Sequence, residues 1–507
     1  MSPPPTIRLH PDDSVVIARV ALLPGAPAAE GVAAARRIPA GHKVAIRPIA
    51  KGEPIRRYGQ IIGFASTDIA LGEHVHVHNC EMGDFAKDYA YGVDARDTAY
   101  RDPPATFQGI VRPDGKVATR NYIGILTSVN CSAHVAGLVA TMFQRNPFTG
   151  DDPLAAYPNV DGVVALTHKT GCGMTQDEPL RVLRRTLAGY ARHPNFSHVI
   201  VLGLGCEVNQ IGGLIQEQRL AGRLRSLDIQ TVGGTRKTVA AGIDFVREVL
   251  AESNTARRQA VPVSALTVAL QCGGSDGYSG VSANPALGHA SDLIVRDGGS
   301  VILSETPETY GAEHLLTRRA VSREVGEKLV ALMHWWEDYT KREGAEMNAN
   351  PSPGNKAGGL TTILEKSLGA MATAGGTNLV DVVNYAEEVK ARGFVFMDTP
   401  GYDPVSATGQ VAGGANLVCF TTGRGSVFGC KPAPSIKLAT NSTMFRHIED
   451  DMDVNCGTIL DGDETVQECG QRIFDLILRV ASGEATKSEA FDFGAAEFAP
   501  WVLGATM

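Results

Sequence analysis

Apolar residues in this chain come in short unbroken runs, and the runs repeatedly stop at glycine. ALTVALQCGGSDGYSGVSANP, residues 265–285, shows the pattern: an apolar stretch delivers Cys272 to a Gly-Ser-Asp loop that carries Asp276. Such a run predicts a buried strand, and the loop at its carboxyl end is where open parallel α/β sheets hold ligands. Three more segments repeat this. YIGILTS (122–128) leads to Cys131, GVVAL (162–166) leads through His168 to Gly171-Cys172-Gly173, and HVIVLGL (198–204) leads to Gly205-Cys206-Glu207. Four thiols at four predicted strand ends read as one soft-ligand site.

Between these strands the apolar spacing changes to a helical period near 133–145, 178–193, 212–227 and 237–252, with Thr231-Val232 predicted as a strand end. Strands alternating with helices imply βαβ crossovers and a parallel sheet. The first eighty residues differ: SVVIARVAL, HKVAI and QIIGFA are short β-like runs punctuated by Pro and Gly. The predicted organisation is an α/β protein with a small β domain over 1–80, a linker over 81–106, and two doubly wound, Rossmann-like α/β domains over 107–264 and 265–507. Further strands are expected at 300–305, 417–420 and 435–438, and a long helix at 322–342. The segment 350–356 is too rich in Pro for any regular element.

Composition changes this picture little. Charged residues are 20% and net charge is −8 with no basic stripe, which argues against a nucleic-acid partner. The amino-terminal stretch lacks a leader pattern, and no apolar run is long enough to span a membrane, so a cytoplasmic protein is expected. Nine cysteines suit reduced thiols, some free for metal, better than a disulfide framework. There is no CxxC pair for a zinc ribbon and no P-loop, and Gly203-Leu204-Gly205 lacks the third glycine of a dinucleotide fingerprint. His74, His76 and His78 alternate in HVHVHN, so a strand would set them on one face, either merely solvated or binding a metal or carboxylate. Lys116, Arg120, Lys356, Arg424 and Lys437 fall near predicted turns or strand ends, where cations would hold a carboxylate and Asn, Ser and Thr would hold hydroxyls.

Over nearly its whole length the chain resembles the altronate/galactarate dehydratase family of sugar-acid hydro-lyases. The resemblance is carried by GEHVHVHN (72–79), VATRNYIGIL (117–126), HKTGCG (168–173), GLGCEVNQ (203–210), QCGGSDGYSGVSANP, NPSPGNKAGG (350–359), FTTGRGSVFG and IKLATN. It implies an antifreeze-like β-clip (SAF-type) domain ahead of the α/β catalytic portion. It also implies a divalent metal, usually iron, and a 2-keto-3-deoxy sugar acid as product. The His-rich run looks closer to the altronate branch, whereas 106–137 and 157–173 look closer to the galactarate branch. The substrate expected is a small sugar acid, first an aldonate such as altronate, arabinonate or fuconate, otherwise galactarate. A sulfolactate-type sulfo-lyase or an epimerase would use the same proton abstraction, and a non-catalytic iron-binding regulator is the reading from another class.

Dehydration needs a base for the proton beside the carboxylate and an acid for the departing hydroxyl. On the resemblance, Cys131, Cys172, Cys206 and Cys272 hold iron, as Fe2+ or as an iron–sulfur cluster, with Glu207, Asp276 and Glu305 as alternative oxygen ligands and Mn2+ or Mg2+ as substitutes. His168 is the first expected base and Lys356 the second, with Asp276 a third catalytic group. Arg120, Asn121, Asn355, Arg424 and Lys437 are expected at the substrate, and His74, His76 and His78 to reach the site from the small domain. A homo-oligomer is expected from enzyme size alone.

Overall fold

The structure, a computed structural model, describes residues 3–506 except 86, 147 and 223. The amino-terminal part is antiparallel: Thr6–Ile7, Val15–Ala18, Lys43–Ala45 and His74–Val75 form one sheet, and Pro54–Arg57, Gln60–Ala65 and Cys80–Glu81 another. Val15–Ala18 is buried at every position, which is why so short a strand can centre a domain.

The following parallel sheet has the order Gly162–Leu166, Tyr122–Thr127, Phe196–Gly203, Arg225–Asp228. The carboxy-terminal sheet has seven strands, in the order Leu379–Val383, Phe394–Met397, Ser300–Leu303, Thr267–Cys272, Leu417–Thr422, Ser435–Ala439, Val454–Asn455, all parallel. Phe394–Met397 and Leu417–Thr422 are buried throughout, as strands covered on both faces must be. The mixed α/β architecture with an antiparallel β domain in front is therefore as expected.

Several local expectations are corrected. Thr231-Val232 belongs to a helix, Ile229–Val232, and the strand there is Arg225–Asp228, overlapping the end of the span expected to be helical. Pro353–Ala357 is a short helix: Pro353 occupies the first turn, where its missing N–H costs nothing, and Ser352 accepts from the Asn355 N–H in a capping box. His74, His76 and His78 do not share a strand. The strand ends at Val75, and Asn79 closes a turn by accepting from the His76 N–H and donating to the His74 carbonyl.

The segment between the β domain and the first parallel sheet carries no helix or strand after Glu81 and before Thr106 among its described residues, yet it is tied down. Tyr89 donates to Glu313 at 2.7 Å, Lys87 pairs with the same carboxylate at 2.8 Å, and the Gly92 N–H donates to the Thr317 carbonyl at 3.0 Å.

Candidate active site

In the seven-stranded sheet the chain passes from Thr267–Cys272 to Ser300–Leu303, on to Leu379–Val383 at the edge and back to Phe394–Met397 on one side, then adds Leu417–Thr422 and Ser435–Ala439 on the other side. The topological switch lies between Thr267–Cys272 and Leu417–Thr422, and a crevice opens at such a point because neighbouring connections diverge. The crevice is a chamber of about 520 Å³, lined by Asp276, Arg424, Asn441, Ser442 and His447 of the carboxy-terminal domain and by Arg19 and Ala40 of the β domain, among others.

The β domain closes it through contacts that depend on missing side chains. A Cβ on Gly277 would lie 1.9 Å from the Gly41 carbonyl oxygen, and one on Gly359 would lie 2.4 Å from the same atom. Beneath this contact Glu365 is fully buried and takes Lys43 at 2.8 Å and Arg57 at 2.7 Å, both from the β domain. Lys43 also donates to the Gly359 carbonyl and Arg57 to that of Gly277, at 2.6 Å each. Burial works against these charges, but the two cations hold Glu365 down to about 2.

Asp276 sits at the centre. Its Oδ1 accepts from the Tyr278 N–H at 3.0 Å and the Ser279 hydroxyl at 3.2 Å; Oδ2 accepts from Thr440 at 3.0 Å and Asn441 at 3.3 Å. Burial raises its pKa despite these donors, toward the range of a useful base. Asn355 supports the loop by donating to the Ser275 carbonyl at 2.9 Å. Arg424 is exposed on the chamber wall, and its guanidinium makes no hydrogen bond or ion pair with any described residue.

Three histidines of the β domain meet beside the chamber: one ligand nitrogen from each of His42, His74 and His76 lies within 4.8 Å of the others, the only such grouping of His, Cys, Asp or Glu among the described residues. The His42 ring also reaches the carbonyl of Ala357, a chamber-lining residue, at 3.3 Å. Burial, helped by the neighbouring rings and by Lys43, pushes His74 down to about 3 and His76 to about 4, so both stay neutral as metal ligands must. The Nδ1 of His76 is buried with no partner among the described residues. A divalent cation would satisfy that atom, so the donor set fits the metal that the resemblance implies. His78 is exposed and outside the triad.

The other expected residues do not join the chamber. His168 is buried with Nε2 against the Thr127 carbonyl and Nδ1 accepting from the Thr170 N–H. Arg120 makes a buried two-pronged pair with Glu489, at 2.6 and 2.8 Å, and Asn121 donates to the carbonyls of Asn159 and Ser253. Lys437 donates to Ser488 inside the core. Lys356 is half-buried on the Pro353–Ala357 helix. Cys272 is buried and contacts Ser275 and Asn284, whereas Cys131, Cys172 and Cys206 are exposed on the other parallel sheet. Glu207 accepts from Ser128 at 2.5 Å and braces that second edge. Glu305, at φ +66°, enters a buried group with Glu308, Asp403 and Lys366, where Lys366 donates to Glu308 at 2.6 Å. Sequence reasoning missed Arg19, His42 and His447. The only signal for His42 was a lone His heading the strand that pairs with His74–Val75.

Comparison with known families gives three successive matches: altronate/galactarate dehydratase SAF domain over residues 4–83, D-galactarate dehydratase/altronate hydrolase second domain over 109–254, and D-galactarate/altronate dehydratase C-terminal domain over 263–506. The chain belongs to the altronate/galactarate dehydratase family. Altronate dehydratase of Bacillus subtilis (strain 168) is 35% identical over 495 residues, covering 96% of this chain and 97% of the relative. Galactarate dehydratase (L-threo-forming) of Escherichia coli (strain K12) is 38% identical over 492 residues, covering 94% and 93%. The (2R)-sulfolactate sulfo-lyase subunit beta of Chromohalobacter salexigens is 31% identical over 389 residues, covering 76% of this chain and 95% of the relative. The protein is a hydro-lyase of the altronate/galactarate dehydratase type, and no helix among its described residues is long and apolar enough to cross a membrane.

Proposed function

We propose that the chamber dehydrates an aldonate such as altronate, arabinonate or fuconate to its 2-keto-3-deoxy acid. The observation that carries this reading is the pairing of Arg424, unpartnered among the described residues, with buried Asp276 on the walls of one chamber. A guanidinium without an internal carboxylate suits a substrate carboxylate, and Asn441, Ser442 and Thr443 present amide and hydroxyl groups for substrate hydroxyls. Asp276 takes the proton beside the carboxylate. Its Oδ2 is held by two side-chain donors that can turn aside, while Oδ1 stays anchored by a backbone N–H. His447, exposed on the same wall, gives the departing hydroxyl its proton. His42, His74 and His76 would hold a divalent metal, iron first, whose chemistry when bound is to polarise substrate oxygen.

Galactarate is the second reading, favoured by Arg19: a second guanidinium on the chamber wall, whose Nη1 donates to the Pro4 carbonyl while its Nε is buried with no partner among the described residues, suits a second carboxylate. The test is a panel of aldonates and aldarates with metal-replete protein, scoring 2-keto acid with semicarbazide and sulfite with a thiol reagent. Keto acid from an aldonate, cut by about two to four orders of magnitude in Asp276→Asn, supports the proposal. Turnover confined to aldarates and lost in Arg19→Gln moves it to galactarate, and sulfite release replaces dehydration by sulfo-lyase chemistry.

A further inference from the structure

The edge of the seven-stranded sheet opposite the chamber is also hollow. Three cavities of about 390, 60 and 400 Å³ share walls there: Pro194 lines all three, Lys116 the first two and Arg192 the last two. They form one groove between the second α/β domain and the carboxy-terminal one, where Phe196, Thr267 and Ser300 begin their strands. None of its lining residues lines the Asp276 chamber.

The charge of the groove is lopsided. Arg112, Lys116, Arg185, Arg192, Lys390 and Arg392 line it against Asp114 and Glu388, in a protein whose net charge is −8. The helices Glu178–Ala191 and Asp403–Ala412 both end on it, and their carbonyl ends offset about half a charge each. Two carboxylates and two helix ends therefore leave roughly three positive charges unanswered. The partners show where. Arg112 is half-buried, and its guanidinium donates to the Pro194 carbonyl at 2.7 Å, the Asn121 side-chain oxygen at 2.9 Å and the Arg120 carbonyl at 3.5 Å. These neutral oxygens satisfy its hydrogens but not its charge, and burial pushes it down to about 10 against the pull of Asp161 and Asp114. Arg185 donates to the Tyr385 carbonyl at 2.7 Å and approaches Glu178 only at 4.0 Å, a carboxylate that Arg181 already holds at 2.9 Å. The side chains of Lys390 and Arg392 are exposed and make no hydrogen bond or ion pair with any described residue. A solvated cation needs no partner, but a half-buried guanidinium met only by carbonyls keeps its desolvation cost until an anion arrives.

The geometry points to a binding site for a diphosphate-bearing metabolite in this groove, with its anion in the neck of about 60 Å³ walled by Lys116, Arg185 and Arg192 and its remainder in a flanking cavity. A diphosphate concentrates about the missing charge in one compact group, and guanidiniums hold phosphoryl oxygens in two-pronged pairs. Arg112 and Arg185 reach it from the second domain, and Lys390 and Arg392 from the carboxy-terminal domain, so the ligand ties the two together. Thr267–Cys272 runs from this groove to the Asp276 loop, about 20 Å at the usual rise of a strand. The groove is therefore an effector site, remote from the reacting atoms.

The test is calorimetric titration of the full-length protein with inorganic pyrophosphate, with orthophosphate and citrate as comparators. Pyrophosphate should bind at one site per chain, at least about tenfold tighter than orthophosphate, the gain from one further charge-assisted hydrogen bond. Its dissociation constant should rise with added salt. Lys390→Gln with Arg392→Gln should weaken binding about tenfold or more while keeping the parent's circular dichroism, as exposed substitutions should. Arg112→Gln should weaken it similarly, and Arg112→Lys, which keeps the charge, should do so less. Arg19→Gln with Arg424→Gln should bind pyrophosphate as the parent does, which separates the groove from the chamber. His74→Ala with His76→Ala should also bind it undiminished, which separates the groove from metal at the triad. No binding by the parent, binding undiminished in the Lys390 and Arg392 pair, loss in the chamber or triad variants instead, or citrate held as tightly as pyrophosphate would overturn the assignment.

Discussion

The two parallel sheets of this protein offer the same kind of strand-end edge and use it differently. The carboxy-terminal crevice is roofed by the β domain and walled by Asp276, Arg424 and Asn441, whereas the loops at the strand ends of the second sheet carry Cys131, Cys172 and Cys206 exposed. The first has hard donors and a cation under a roof, and the second has soft donors in contact with water. A strand-end loop is thus a location rather than a function, and what lies above it decides which chemistry its residues can carry.

The sharpest way to break that contrast is to lift the roof. Glu365→Gln leaves Lys43 and Arg57 buried without their shared anion and should cost about 3–5 kcal/mol in chemical denaturation. Turnover should fall with it while the exposed thiols keep their alkylation pattern. Acid should do the same reversibly. Glu365 is held below its unfolded value, so its contribution is present above about 4.5 and is lost as pH falls through about 2. A milder cut is Gly277→Ala, whose Cβ would meet the Gly41 carbonyl and force the domains apart, at about 1–3 kcal/mol. Its signature is a raised KM with the second sheet's amide exchange unchanged.

The smallest expected effect lies beside the chamber, in the Glu305 group. Burial and then Glu308 push Asp403 up to about 7, so the folded protein holds a proton that the unfolded chain releases near 3.8. Stability from this group is complete below that value and declines as pH rises through 7. Asp403→Asn should flatten the decline, read as a smaller difference between melting temperatures at pH 5 and pH 8.

The strands of both sheets were legible because buried parallel strands are written as unbroken apolar runs that end at glycine. That spacing placed Cys272 and Asp276 on one loop. It could not show that Cys272 turns inward to Ser275 and Asn284 while Asp276 faces the chamber. Strand order was not legible, because register depends on crossovers that a single run does not encode. So four thiols at strand ends read as one site, although they belong to two sheets. The histidine row was half legible: His74 and His76 meet, but through a turn, and the third ring is His42, brought across by antiparallel pairing from 32 residues away. Arg120 and Asn121, conspicuous in the sequence, are spent on Glu489 and on backbone carbonyls.

The segment that leaves the β domain is pinned to the carboxy-terminal body by Tyr89, Lys87 and Gly92 before the chain enters the second sheet. Those clamps shorten the free tether between the roof and the crevice it covers, so closure is a first-order event at high effective concentration. Cleaving the segment between its clamps and the β domain would turn the same contact into a bimolecular association. Activity would then depend on protein concentration and return on mixing the two pieces.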